Sequence, residues 1–114
     1  MTHDLLEQIC LAIPGTEIDV KWGNDLCYMV GKKMYCVTGT HPPVQVSLKV
    51  DPNEFDELTD REGIIPAPYL ARYKWIHVSD VSALSSPEWE RLIQNSHQLV
   101  YQRLPRKIRD GILT

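Results

Sequence analysis

A chain of 114 residues with 43% apolar and 24% charged side chains is long enough for one folded domain and too well mixed for general disorder. Its formal charge of −3 argues against a general polyanion binder, and no apolar run approaches the ~20 residues that cross a bilayer. Three sparse cysteines (Cys10, Cys27 and Cys36) with no C-x-x-C pair speak against a disulfide scaffold, a zinc ribbon or a thioredoxin-like site.

The first element is an amphipathic helix over residues 3–13. Leu5, Leu6, Ile9, Cys10 and Ile13 fall on one stripe, Thr2 is placed to cap it, and Pro14-Gly15 stops it. Met1-Thr2-His3-Asp4 lacks a basic n-region and a following apolar stretch, so a cytoplasmic protein with no secretory leader is expected. Thr16–Asn24 reads as irregular. Asp25–Val30 and Lys33–Thr38 read as strands around Gly31-Lys32, where a leading glycine suits a type II′ turn. That turn would set Met29 opposite Met34, Tyr28 opposite Tyr35 and Cys27 opposite Cys36. Cys27, Met29, Met34 and Cys36 would share one face, with Tyr28, Tyr35 and Lys33 on the other.

After the stiff His41-Pro42-Pro43 connection, Val44, Val46, Leu48 and Val50 alternate with Gln45, Ser47 and Lys49 in a strand with one buried face. Asp51-Pro52-Asn53-Glu54 supplies a helix start, with Phe55 and Leu58 inward and an end near Gly63. Pro66 and Pro68 break up Ile64–Lys74. Trp75–Ser79 reads as a strand, with a further one hidden in Gly63–Pro66 or Val81–Leu84. Ser86-Pro87 opens a long helix lined by Trp89, Leu92, Ile93, Ser96, Leu99 and Val100 and kinked or ended by Pro105. This order predicts a single α+β domain over 1–114, a two-layer fold with helices packed on one face of an antiparallel sheet.

Several short motifs lie in order along the chain: Trp22-Gly23, Ser47-Leu48-Lys49-Val50-Asp51-Pro52, and the Pro-x-Pro-Tyr-Leu run from Pro66 to Trp75. Ser96-His97-Gln98-Leu99-Val100 follows, then Leu104-Pro105-Arg106-Lys107. In these the chain resembles the MmcQ/YjbR family of small bacterial proteins, with His97 in place of the aromatic residue expected after Ser96. The resemblance implies a secretion-chaperone-like two-layer fold and DNA binding.

The residues allow that function to be placed. Residues 1–60 carry four basic and ten acidic side chains, a net of −6, whereas residues 61–114 carry eight and five, a net of +3. On the sheet face away from the helices, Gln45, Ser47, Lys49, Trp75 and His77 are expected to be exposed, joined by Lys33, Tyr28 and Tyr35. Cations interleaved with rings neutralise phosphates and stack bases. Arg103, Arg106, Lys107 and Arg109 form a second basic cluster, and Arg72 and Lys74 extend either one. The expected binding residues are therefore Lys49, Arg72, Lys74, Trp75, His77, Arg103, Arg106, Lys107 and Arg109, with double-stranded DNA as the partner.

No nucleophile elbow, phosphate loop, paired-carboxylate signature or histidine pair at zinc spacing occurs, so neither catalysis nor a cofactor or metal is expected. The alternative is a protein-binding, chaperone-like module, monomer or homodimer, that uses the open sheet face or an edge strand. A third possibility is a small-molecule pocket between the Pro66–Lys74 loop and the sheet.

Overall fold

The Thr2 hydroxyl accepts the Leu5 amide at 3.1 Å and starts α1, His3–Leu11. The computed structural model describes residues 1–112. Asp51 caps α2, Pro52–Thr59, by accepting the Asn53 amide at 2.9 Å. Ser85 and Glu88 close a reciprocal capping box at the start of α3, Ser86–Tyr101. Six strands form one antiparallel sheet: β1 Thr16–Lys21, β2 Asp25–Val30, β3 Lys33–Gly39, β4 Val46–Lys49, β5 Ile64–Pro66 and β6 Trp75–Val78. Their spatial order is β1-β2-β3-β4-β6-β5. Against one face of it, Leu6 and Cys10 of α1, Phe55 and Leu58 of α2, and Trp89, Leu92 and Ile93 of α3 complete the core. The α+β class and the one-sided helix layer are as the patterning predicts.

Five local readings are changed or settled. Thr16–Asn24 is not irregular, because it contains β1, whose Ile18 and Val20 alternate with Glu17, Asp19 and Lys21. As an edge strand it keeps charges on one face, which blunts its apolar signal. The β2–β3 turn has positive φ at both central residues, Gly31 at +57° and Lys32 at +65°, which is type I′ rather than II′. Of the two places for a hidden strand, Ile64–Pro66 forms β5. Val81–Ala83 is instead a 3₁₀ turn capped by Asp80 on the Ser82 amide. Helix α3 ends at Tyr101, and Pro105 accepts the Ile108 and Arg109 amides to start a separate helix, α4, Arg106–Ile112.

The fifth change decides what the sheet displays. Met29 pairs with Met34 as the turn requires, but Tyr28 pairs with Cys36 and Cys27 with Val37. Tyr35 is therefore an extra residue in β3, a β-bulge. Beyond it every residue of β3 is shifted by one, so Cys36 joins Tyr28 on the helix-covered face while Cys27 stays on the other. Tyr28 and Tyr35 are thus buried in the core, and neither lies on the open face. The Tyr35 hydroxyl bonds Thr16 Oγ1 at 2.8 Å and donates to the Cys10 carbonyl at 3.4 Å, which explains why a bulged polar ring is stable inside.

Ladder pairing between β3 and β4 reaches only Cys36–Leu48. Ser96 of α3 bridges the gap that follows: its hydroxyl donates to the Tyr35 carbonyl and accepts the Lys49 amide at 3.0 Å. A buried side chain of the helix layer thereby replaces the missing rung and fixes the end of β4, from which Lys49 projects.

Candidate functional site

Three cavities adjoin one another on the sheet face away from the core and around its end. The first, a cleft of about 480 Å³, opens where β3 begins and β4 ends. Lys33, Met34, Lys49, Tyr73 and Trp75 form its sheet side, and Val100, Arg103 and Pro105 close it from the end of α3. Three cations line it and, among the described residues, no carboxylate does. The Lys49 ammonium donates to the Tyr73 carbonyl at 2.8 Å, and burial, then the nearby Arg103 charge, holds its pKa below the ordinary lysine value. Two like charges held together without a counter-charge make a site that an anion would relieve.

Arg103 reaches this cleft because the linker after α3 packs on the β2–β3 turn. A Cβ built on Gly31 would stand 2.6 Å from Leu104 Cδ1, so only glycine admits the approach without displacing Leu104.

The second cavity, a trough of about 380 Å³, shares Met34 and Leu70 with the cleft. Its floor includes Val37 and Ala67, and Trp22 and Tyr69 also line it. These two rings are 70% and 98% exposed. Both stand on left-handed backbone, with φ of +51° and +66°.

The third cavity, about 360 Å³, shares Asp25, Val37 and Ser47 with the trough and adds Thr38, His41, Gln45 and His77. His77 Nδ1 lies 2.8 Å from Ser47 Oγ and its Nε2 lies 2.9 Å from Gln45 Oε1. The amide oxygen can only accept, so the proton sits on Nε2 and Nδ1 takes the serine proton. Burial lowers the His77 pKa, which keeps this chain of bonds neutral.

The structure brings together some of the residues that sequence singles out. Lys49, Trp75 and Arg103 meet in the cleft, although Trp75 is only 6% exposed beneath the 67–74 loop and serves as a wall. His77 lies on the same face, at the polar end. Arg72 stands over the Tyr73 ring at 4.8 Å, beside the cleft. Lys74 turns to the Phe55 ring of α2 at 4.8 Å. Arg106, Lys107 and Arg109 lie on α4 and line none of the three cavities; Arg106 pairs with Asp110 at 3.8 Å. Cys27 and Cys36, expected as neighbours, lie on opposite faces. Among the described residues no group of three metal-ligating side chains converges. No helix among the described residues is long and apolar enough to cross a membrane.

Sequence reasoning misses Trp22 and Tyr69 as site residues. The available signal is that each sits in one of the motifs carrying the resemblance while fitting no apolar period of a strand or helix.

Comparison with known proteins bears on both fold and site. The family model described as YjbR matches residues 11–99. The crystal structure of Deinococcus radiodurans protein DR2400, described as domain DUF419, is similar at 26% identity with a TM-score of 0.87. It covers 97% of this chain and 87% of that one. A structure of a protein from Pseudomonas syringae is similar in fold at 23% identity and a TM-score of 0.72, covering 87% of this chain and 98% of that one. No curated protein matches.

Proposed function

The chain belongs to the YjbR family, and from that premise we propose that it is a nucleic-acid-binding protein, acting by binding rather than catalysis, whose cleft grips the phosphate backbone. The convergence of Lys33, Lys49 and Arg103 on a cleft free of carboxylates is the observation that carries this reading. The formal charge of −3 speaks against a general polyanion binder but not against this cleft, whose described lining holds three cations and no carboxylate. Phosphate contacts contribute affinity without reading sequence, so binding is expected to be weakly sequence-dependent and strongly salt-dependent.

Fluorescence anisotropy with a labelled oligonucleotide between about 50 and 200 mM salt tests it. The double variant Lys49→Ala, Arg103→Ala is expected to weaken binding at least ~10-fold and to lower the salt slope by about 2, one for each phosphate no longer neutralised. An unchanged slope would remove the reading.

A second reading has support of its own at the other end of the sheet. Edge strand β1 has no strand on its outer side among the described residues and leaves Ile18 and Val20 exposed, which suits pairing with a strand of another polypeptide. Sedimentation at varied protein concentration, with Val20→Lys as the control, would expose such pairing, and its salt dependence would be slight.

A further inference from the structure

Turns place Trp22 and Tyr69, but the fold covers neither ring. Tyr69 is almost fully exposed and Trp22 largely so, hence their burial contributes little to the core. Each also occupies left-handed backbone, which an aromatic residue adopts only at a cost. All four non-glycine residues with positive φ among the described residues lie at turns. Trp22 opens the β1–β2 hairpin turn and Lys32 belongs to the β2–β3 turn. Tyr69 follows Pro68 in a turn closed by the Leu70 amide on the Ala67 carbonyl at 3.2 Å, and Lys74 ends a 3₁₀ turn. Only Trp22 and Tyr69 are aromatic. They come from distant parts of the chain and line one trough. Strained, uncovered side chains that converge on one cavity are the mark of a ligand clamp.

The trough fixes what the clamp would hold. Its Met34, Val37, Ala67 and Leu70 surface suits a flat apolar face, and it shares Met34 and Leu70 with the cleft lined by Lys33, Lys49 and Arg103. Its other side carries Asp25 and Ser47, a carboxylate that repels phosphate and a hydroxyl that can bond a base edge. A planar base joined to an anion, with the anion at the cationic end, matches this order. A base inside a duplex has both faces stacked and cannot enter between two rings, whereas an unpaired base can.

Resting on the nucleic-acid reading above, we propose that the ligand is a single-stranded segment, with one unpaired base lodged between Trp22 and Tyr69 and the adjoining phosphate at Lys33, Lys49 and Arg103.

The test uses the full chain with a labelled single-stranded thymidine 12-mer, the corresponding duplex and a thymidine mononucleotide. The single strand is expected to bind at least tenfold more tightly than either. Trp22→Ala and Tyr69→Ala, each checked for unchanged circular dichroism, are expected to weaken it about tenfold, which is the scale of losing one stacked base, with the salt slope unaltered. Equal affinity for duplex and single strand would overturn the clamp. So would full binding by both ring variants while Lys49→Ala, Arg103→Ala fails to bind, an outcome that leaves the phosphate grip standing. Equal affinity for the mononucleotide would overturn the strand as ligand, and no binding of any probe would remove both readings.

Discussion

The two faces of this sheet come from the same strands and have opposite characters. On the helix side most buried polar groups are matched: Tyr35 has partners for its hydroxyl, Ser96 completes a broken ladder, and Trp89 Nε1 donates to the Val81 carbonyl at 3.0 Å, while the Tyr28 hydroxyl and His97 Nε2 are buried without a hydrogen-bond partner. On the open side three cations share a cleft whose described lining holds no carboxylate, and two rings sit on costly backbone beside a trough that includes Asp25. On the nucleic-acid reading proposed above, stability and recognition are separated by the thickness of one sheet. A substitution should therefore disturb one more than the other, depending on the face it touches.

Ser96→Ala should have the largest effect. It strands a buried carbonyl and a buried amide, so stability by urea unfolding should fall by about 2–4 kcal/mol. Because the Lys49 backbone loses its anchor, oligonucleotide affinity should fall as well. A full loss of affinity with unchanged stability would break the separation at the Ser96 bridge.

Gly31→Ala tests the other connection between layers. With φ of +57° and Leu104 at 2.6 Å from the added methyl, it should cost about 1–3 kcal/mol and shift Arg103 away from the cleft. Binding should weaken through a smaller salt slope, measured by the same titration.

Trp22→Gly and Tyr69→Gly sharpen the comparison because stability and binding should part company. Relief of left-handed strain should leave thermal stability unchanged or raise it by about 1 kcal/mol, net of the added chain entropy. Binding should decline in the same proteins. A clear loss of stability would mean that the rings belong to the fold.

The smallest effect is acidic. The Arg61 guanidinium, 2.8 Å away, and the Ser85 amide hold the Glu88 pKa down at about 2. A depressed carboxylate stabilises the fold above its unfolded pKa, near 4.5, and that contribution is lost as pH falls toward 2. The melting temperature should decline over that window, and Glu88→Gln should flatten the decline. His77 and His97, both lowered by burial, act in the same direction at higher pH: the unfolded chain takes up protons first below about 6.5, so stability falls as pH drops.

Much of the fold was legible because caps and periodicity act locally. Thr2, Asp51-Pro52 and Ser85 start helices through hydrogen bonds spanning two or three residues, and the alternation from Val44 to Val50 marks β4 with no knowledge of its neighbours. The bulge was not legible, since nothing near Tyr35 distinguishes an extra residue from an ordinary one until Cys10 and Thr16 are brought to its hydroxyl. That single slip is why sequence parity puts Tyr28 and Tyr35 on the wrong side. For the site, Lys49, Trp75 and Arg103 could be assembled from strand parity and a basic cluster. Trp22 and Tyr69 could not, because a left-handed residue leaves the alternation that sequence reading relies on.

The extra residue in β3 also has an evolutionary side. Losing one codon at Tyr35 would return the strand to regular pairing, with Met34, Cys36 and Val37 keeping the partners and faces they have now. The loss would fall on the interior, which would give up one ring and its ties to Thr16 and Cys10 while the outward chemistry stayed as it is.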